Sequence, residues 1–180
     1  MLHIPKSSNK QIEKDEIKIL DKLLKNANKS INDIAKSCGF SRQKVWRVIK
    51  NLEKNKTIWG YTAIVDYVKL DKQRFLMLIK RSNKPLSKKF IDQIISRDIE
   101  DIAIKMGVNF INSIYINGKY DWLISFIAND IQEAKRIVEL FFASYPEIIS
   151  EIDLHEYIFP VEYDGIVNPE VKKLYEFFKI

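Results

Sequence analysis

The sequence has few of the residue types that build disulfide frameworks and metal clusters. Its 180 residues include one cysteine, Cys38, and two histidines, His3 and His155. A single cysteine excludes an internal disulfide, and so few thiols and imidazoles argue against a zinc site within one chain. We therefore expect no disulfide, no metal and no cofactor, in a protein of the reducing cytoplasm.

Glycine, proline and long apolar runs are scarce as well. Five glycines and five prolines exclude a low-complexity or collagen-like chain. No apolar run reaches the roughly 18 residues that span a bilayer, and the start, Met1 to Lys6, lacks the apolar stretch of a signal peptide. With 46% hydrophobic and 12% aromatic residues, we expect a packed globular protein that makes no membrane contact.

Positive charge is concentrated in the N-terminal part. The chain holds 30 basic and 24 acidic residues, a net charge of +6. Residues 1–70 hold 15 of the basic and 7 of the acidic ones, whereas residues 71–180 hold 15 and 17. This division indicates a basic, polyanion-binding module joined to a near-neutral one. A solvated, lysine-rich surface without such a role is the alternative.

The basic part has the pattern of a helix-turn-helix. Helices are predicted from Asp15 to Lys25, from Ile31 to Cys38, and from Ser41 to near Asn55. Ser30 and Ser41 suit N-cap positions, because their hydroxyls can accept from free backbone N–H groups. Gly39 provides the positive φ of the tight turn between the second and third helices.

The third helix has one apolar and one basic face. Val45, Ile49 and Leu52 recur at helical spacing and should face the core. The opposite side and its flanks supply the DNA-binding candidates: Ser41, Arg42, Gln43, Lys44, Trp46, Arg47 and Lys50. Arginine and glutamine can bond guanine and adenine, so Arg42, Gln43 and Arg47 are expected to read bases; Ser41, Lys44 and Lys50 are expected to hold phosphates. An ordinary amphipathic helix with a basic solvent face is the alternative, and Trp46 could stack on DNA or pack on a neighbouring element.

Residues 56–66 are rich in β-branched and aromatic side chains and are predicted to form the strands of a wing or a connecting strand. One set of residues has a specific pattern: Ile34-Ala35, Gly39-Phe40-Ser41, Val45, Ile49, Leu52-Glu53 and Ile58-x-Gly60-Tyr61-Thr62-Ala63. In these residues the chain from Leu20 to Leu70 resembles the winged helix-turn-helix of the Lrp/AsnC transcription regulators. The chain departs from the family at Lys56, where glycine is usual, so we expect Asn55 to take the left-handed conformation. Val48 stands where an arginine is common.

The remaining chain alternates strand and helix patterns. Strands are predicted at 74–81, 110–116, 122–128 and 148–161, and helices at 87–106 and 131–145. The order β-α-β-β-α-β predicts a ferredoxin-like sandwich. The fold class is therefore α+β: an N-terminal winged helix-turn-helix, a C-terminal ferredoxin-like βαββαβ sandwich, and an extra C-terminal helix with Pro169 at its first position.

The second module resembles the effector-binding domain of the same family, and Gly118-Lys119-Tyr120-Asp121 matches its G-x-x-D hairpin. The resemblance implies a homodimer that can assemble into tetramers or octamers, and an amino-acid effector in a cleft that includes Gly118, Tyr120 and Asp121. Two local alternatives stay open. Gly118 could serve only as a positive-φ turn position, and Asp121 could be a turn carboxylate that bonds its own backbone.

These observations divide the chain into a winged helix-turn-helix domain (12–66), a linker (67–73), a ferredoxin-like domain (74–163) and a C-terminal helical extension (164–180). We expect the apolar side of this extension to contact a partner subunit; packing on its own domain is the alternative. The function expected is that of a cytoplasmic, prokaryotic transcription regulator that binds double-stranded DNA.

An enzyme is not expected, because no nucleotide-binding, nucleophile-elbow or metalloprotease motif is present. Siroheme decarboxylases share this architecture and are one alternative, although the Asn117–Trp122 stretch departs from their hairpin pattern. The other alternative is a dimerising effector sensor that no longer binds DNA. Such a sensor would be expected to lose the basic face, whereas this chain keeps Arg42, Arg47 and Lys50.

Overall fold

Three helices enclose a small apolar core in the N-terminal part of the chain. In the computed structural model, which describes residues 14–179, they are α1 (Lys14–Lys25), α2 (Ile31–Cys38) and α3 (Arg42–Lys54). The core consists of Ile19, Leu23, Ile34, Ala35, Val45 and Ile49, which are at most 9% exposed. All three predicted helices are confirmed to within a residue or two, while residues 12 and 13 of the predicted domain lie outside the described residues.

The segment after α3 contradicts the predicted wing strands. Residues 56–66 are all described, and none of them is in a strand. The composition of this segment favours extended backbone, but a strand also needs a hydrogen-bonding neighbour. The segment remains without regular structure, with Trp59 95% exposed.

The turn at the end of α3 also differs from the prediction. Asn55 has φ −86° and ψ 6°, whereas Lys56 has φ 61° and is the left-handed residue. Asn55 acts through its side chain instead, because its Oδ1 accepts a hydrogen bond from the Thr57 N–H at 3.1 Å. In the family that the sequence resembles, position 56 is usually a glycine, which would adopt this conformation without the steric cost of a Cβ.

Replacing Lys56 with glycine should therefore stabilise the helical part by about 1 kcal/mol. The matched control is Lys54→Gly, which makes the same change at a helical position and should destabilise by roughly 0.5–1 kcal/mol. Hydrogen exchange of the α3 amides in the full chain measures both effects. Loss of protection in both variants would contradict strain at Lys56.

A four-stranded antiparallel sheet forms the second part of the chain. Its strands are β1 (Gln73–Arg81), β2 (Asn109–Tyr115), β3 (Trp122–Ala128) and β4 (Ile149–Glu156), in the spatial order β2-β3-β1-β4. The helices α4 (Lys88–Ser96) and α5 (Asp98–Lys105) follow β1, and α6 (Ile131–Ser144) follows β3. This is the predicted ferredoxin-like order, although β4 ends at Glu156 and not at residue 161.

The apolar core of this part lies between the sheet and the helices. Burial alternates along β1, where Phe75, Met77 and Ile79 are fully buried and the intervening residues are not. α6 packs against β3 and β4, and α5 packs against β2 and α6. Aromatic rings fill the interior: Phe141 of α6 lies 5.5 Å from the ring of Trp122.

The helix predicted at 87–106 is two helices. Ser87 caps α4 as expected, since its Oγ accepts from the Phe90 N–H at 3.1 Å. The break occurs at Arg97, which adopts the left-handed conformation with φ 61°. Asp98, Glu100 and Asp101 then occupy the first turn of α5, where negative charge favours a helix start.

The C-terminal extension is a hairpin followed by helical turns. The short strands β5 (Glu162–Tyr163) and β6 (Ile166–Val167) are joined by Asp164 and Gly165, both with positive φ, as a tight Asp-Gly hairpin turn requires. A 3₁₀ turn spans Val171–Lys173, and α7 (Leu174–Phe178) follows. The prediction that Pro169 occupies the first position of the terminal helix is therefore wrong, because α7 begins five positions later.

The chain divides into two compact units. The helical unit combines the N-terminal segment up to Ile64 with the C-terminal segment from Val161, and the sheet unit comprises Val65–Pro160. Among the described residues, no helix has the length and apolar character needed to cross a membrane.

Candidate nucleic-acid interface

The turn between α2 and α3 is fixed by local hydrogen bonds. Ser30 caps α2 by accepting from the Asp33 N–H at 3.1 Å, and Ser41 caps α3 by accepting from the Lys44 N–H at 3.2 Å. Gly39 ends α2 with φ 71°, and the Phe40 N–H donates back to the Ala35 carbonyl. These bonds satisfy helix-end groups and hold α3 at a defined angle to α2.

The two faces of α3 are separated as the sequence predicts. Val45, Ile49 and Leu52 are buried. Arg42, Gln43 and Arg47 are exposed, and within residues 14–179 their side chains make no hydrogen bond or ion pair. Trp46 is 52% exposed beside them. The exposed face therefore offers donors and an aromatic surface to an external partner.

Lys44 is tied to the helical unit itself. Its Nζ lies 2.5 Å from Oδ2 of Asp15 on α1 and 4.2 Å from the centre of the Phe40 ring. The hydrogen bond to Lys44 lowers the pKa of the Asp15 carboxyl below its ordinary value, against a smaller opposing effect of desolvation. Lys44 thus links the start of α3 to α1 and the turn, and it must leave Asp15 to reach a phosphate.

Lys50 is also engaged within the unit. Its Nζ donates to Oε2 of Glu53 at 2.7 Å, and the hydroxyl of Tyr61 donates to the other carboxylate oxygen, Oε1, at 3.1 Å. The bond from Lys50 is the main reason that the pKa of Glu53 is lowered. Burial and the bond to Glu53 raise the pKa of Tyr61. Glu53 therefore connects α3 to the segment that follows it.

The three effector candidates lie between β2 and β3. Oδ2 of Asp121 accepts from the backbone N–H of Arg81 at 2.8 Å, so this carboxylate bonds the neighbouring strand and not its own backbone. Tyr120 donates to Asp153 of β4, and Lys119 donates to Tyr120 at 3.0 Å. Gly118 does not have a positive φ, so it is not the positive-φ turn position that the sequence left open as an alternative. No atom other than those of its chain neighbours lies within 4 Å of where its Cβ would stand. The structure thus places Tyr120 and Asp121 in hydrogen bonds with the sheet, and there is open space beside Gly118.

Known proteins match both parts of the chain. Residues 16–58 match a family model described as winged helix-turn-helix DNA-binding. The AsnC family transcriptional regulator from Agrobacterium tumefaciens is similar in structure, with a TM-score of 0.64 and 19% identity over 88% of this chain and 97% of that one. The chain has the Lrp/AsnC fold.

Two further solved structures are similar to this chain. LrpC of B. subtilis has a TM-score of 0.58 and 17% identity, over 84% of this chain and 98% of that one. A transcriptional regulator from Neisseria meningitidis, solved as a complex with L-Met, has a TM-score of 0.61 and 14% identity, over 84% and 92%. No curated protein sequence matches significantly. The predicted resemblance is thus confirmed at the level of fold.

Sequence reasoning missed Asp15, Glu53 and Tyr61 as parts of this interface. The spacing of Lys50 and Glu53, three residues apart on a helix, is a local signal that could have revealed their pairing. No comparable signal links Asp15 to Lys44, since 29 positions separate them. Among the described residues of this Lrp/AsnC fold, no group of His, Cys, Asp and Glu could hold a metal ion.

Proposed function

We propose that this chain is a sequence-specific, DNA-binding transcription regulator of the Lrp/AsnC type. The observation that carries the proposal is the exposed face of α3, where Arg42, Gln43 and Arg47 stand unengaged on a capped helix-turn-helix. Such a helix presents its N-terminal residues to base edges in the major groove. Arg42, Gln43 and Arg47 then read bases, and Trp46 packs against the sugar–phosphate backbone.

Two further candidates, Ser41 and Lys44, act on phosphates. The Ser41 hydroxyl caps α3 through its oxygen and keeps its hydrogen available for a phosphate. Lys44 reaches a phosphate only by leaving Asp15, and Lys50 is paired with Glu53. Phosphate contacts should dominate affinity and make it steeply dependent on salt.

The regulator acts as a homodimer. The sheet face opposite the helices carries apolar side chains that a second copy can cover: Leu76 and Leu78 of β1 and Leu123 of β3 are half-buried, and Ile114 of β2 is 50% exposed. Two copies then present two α3 helices to half-sites about 34 Å apart. Tetramers or octamers built from such dimers are part of the proposal.

The sheet unit senses a small effector. The complex of the Neisseria meningitidis regulator with L-Met supports an amino acid as the ligand class. We place this effector at the hairpin of Gly118, Tyr120 and Asp121, where the Gly118 position is unobstructed. An effector that binds assembly states unequally would shift their populations. The protein works in the cytoplasm by binding and not by catalysis, a reading that the regulators of the same fold support.

The test is fluorescence anisotropy of the full chain on its own upstream DNA and on a scrambled duplex, across a salt series. We expect the native duplex to be preferred by about 10³ or more, with affinity falling steeply as salt rises. Equal binding to both duplexes would contradict sequence specificity. Absence of binding to either duplex at low salt would overturn the regulator proposal and favour a DNA-blind sensor or an enzyme of this architecture.

A further inference from the structure

Glu53 is the only described carboxylate that connects a basic candidate of α3 with the segment after the helix. Its two oxygens have different donors, with Lys50 Nζ at 2.7 Å on one and the Tyr61 hydroxyl at 3.1 Å on the other. The side chain of Lys50 is 55% exposed and that of Glu53 is 30% exposed. The arrangement is therefore a three-member network at the edge of the proposed DNA surface.

The network is more restrictive than an ordinary surface pair. An exposed lysine–glutamate pair three residues apart on a helix holds weakly, because two long side chains must lose their rotamer freedom. Here the Tyr61 hydroxyl fixes the carboxylate from the other side, so much of that ordering is already present when Lys50 binds. Arg42 and Arg47 on the same helix have no comparable acidic partner within residues 14–179.

We propose that Glu53 is a positioning residue that holds Lys50 away from DNA, so that Lys50 makes no phosphate contact while Tyr61 bonds the same carboxylate. The inference rests on the proposed DNA binding. Within that surface it assigns Lys50 to an ion pair with Glu53 and not to a phosphate contact. Glu53 and a DNA phosphate compete for one ammonium group, and in the wild-type complex Glu53 keeps it.

The salt dependence of binding to a random-sequence duplex tests this directly, because each lysine–phosphate contact adds about 0.9 to the slope of log K against log salt concentration. Glu53→Gln keeps the side-chain size and removes the charge that holds Lys50. We expect its slope to steepen by about 0.9 and its affinity at low salt to rise. Lys50→Ala in the wild-type background should leave the slope unchanged.

A double variant separates release of Lys50 from a general charge effect. In the Lys50→Ala background, Glu53→Gln should no longer steepen the slope. Asp21→Asn removes one negative charge from the exposed side of α1 and should also leave the slope unchanged. Tyr61→Phe removes only the second bond to the carboxylate, and should shift the slope in the direction of Glu53→Gln by a smaller amount.

Three results would overturn the inference while leaving DNA binding intact. They are an unchanged or shallower slope in Glu53→Gln, a shallower slope in Lys50→Ala alone, and a steepening by Glu53→Gln that persists without Lys50. Failure of the proposed DNA binding gives a different result, because the wild-type protein would then bind neither the native nor the scrambled duplex. Far-UV circular dichroism of each variant confirms that the helices are retained.

Discussion

Replacing Ile34 with alanine is expected to unfold the helical unit and abolish DNA binding, although Ile34 is buried in the core of that unit and is not on the exposed face of α3. Ile34 is 1% exposed and belongs to the same core cluster as Ile19 and Val45. Truncating a buried isoleucine costs about 2–5 kcal/mol, through lost burial and the cavity left behind. A core this small has little stability in reserve.

Hydrogen exchange on the full chain would locate the damage. Amides of α1, α2 and α3 should lose protection, whereas those of β1 and β3 should keep it, because the sheet unit has its own core. Lys36→Ala, on the exposed side of the same helix, is the matched control and should change neither. An equal loss of protection in both units would show that they unfold as one, contrary to this expectation.

Removing the guanidinium of Arg47 is expected to weaken binding to the native upstream duplex by about 1–3 kcal/mol, which corresponds to roughly 5- to 150-fold in Kd. Arg47 is exposed on α3 and is not engaged by other described side chains. Its fork of donors can therefore meet a guanine edge, and Arg47→Ala removes both the bonds and the charge. The scrambled duplex should lose much less affinity.

Arg47→Lys distinguishes the two possible contacts. Lysine keeps the charge but cannot reproduce the two parallel bonds of a guanidinium. If Arg47 reads a base, the lysine variant should lose most of the preference for the native duplex while retaining the salt slope. If both variants weakened the native and scrambled duplexes equally, Arg47 would be a phosphate contact and its assignment to base reading would be wrong.

Features set by neighbouring residues were predictable from the sequence. Ser30, Ser41 and Ser87 cap α2, α3 and α4 as expected, because a cap joins groups only three residues apart. The strand and helix order of the sheet unit also followed from periodicity, since one face of each element must be apolar. Both the helix-turn-helix and the ferredoxin-like sandwich could be predicted from the sequence in this way.

Features that depend on a partner distant in sequence were not predictable from the sequence. The segment 56–66 has strand composition, but composition does not reveal that the described chain offers it no neighbouring strand.

The left-handed residue at 97 is an arginine, which carries no turn signal of its own. The apolar pattern continues across it from Ile95 to Ile99, so two helices were read as one.

The candidate site shows the same contrast. The separation of buried Val45 and Ile49 from exposed Arg47 followed from helical spacing alone. The engagement of Lys44 with Asp15 and the bond from Arg81 to Asp121 join positions 29 and 40 residues apart. Sequence reasoning therefore found which side chains face outward, and the structure adds which of them are already occupied.

Because the helical unit is built from two separated segments of the chain, the order of synthesis affects when it can finish folding. One of its segments precedes the sheet unit and is synthesised before it, whereas the other begins at Val161 and is synthesised after it. The sheet unit is contiguous in sequence, so it can finish folding during synthesis, as domains generally do. The helical unit then reaches its complete form only after the sheet unit, which carries the proposed dimer surface, has been synthesised.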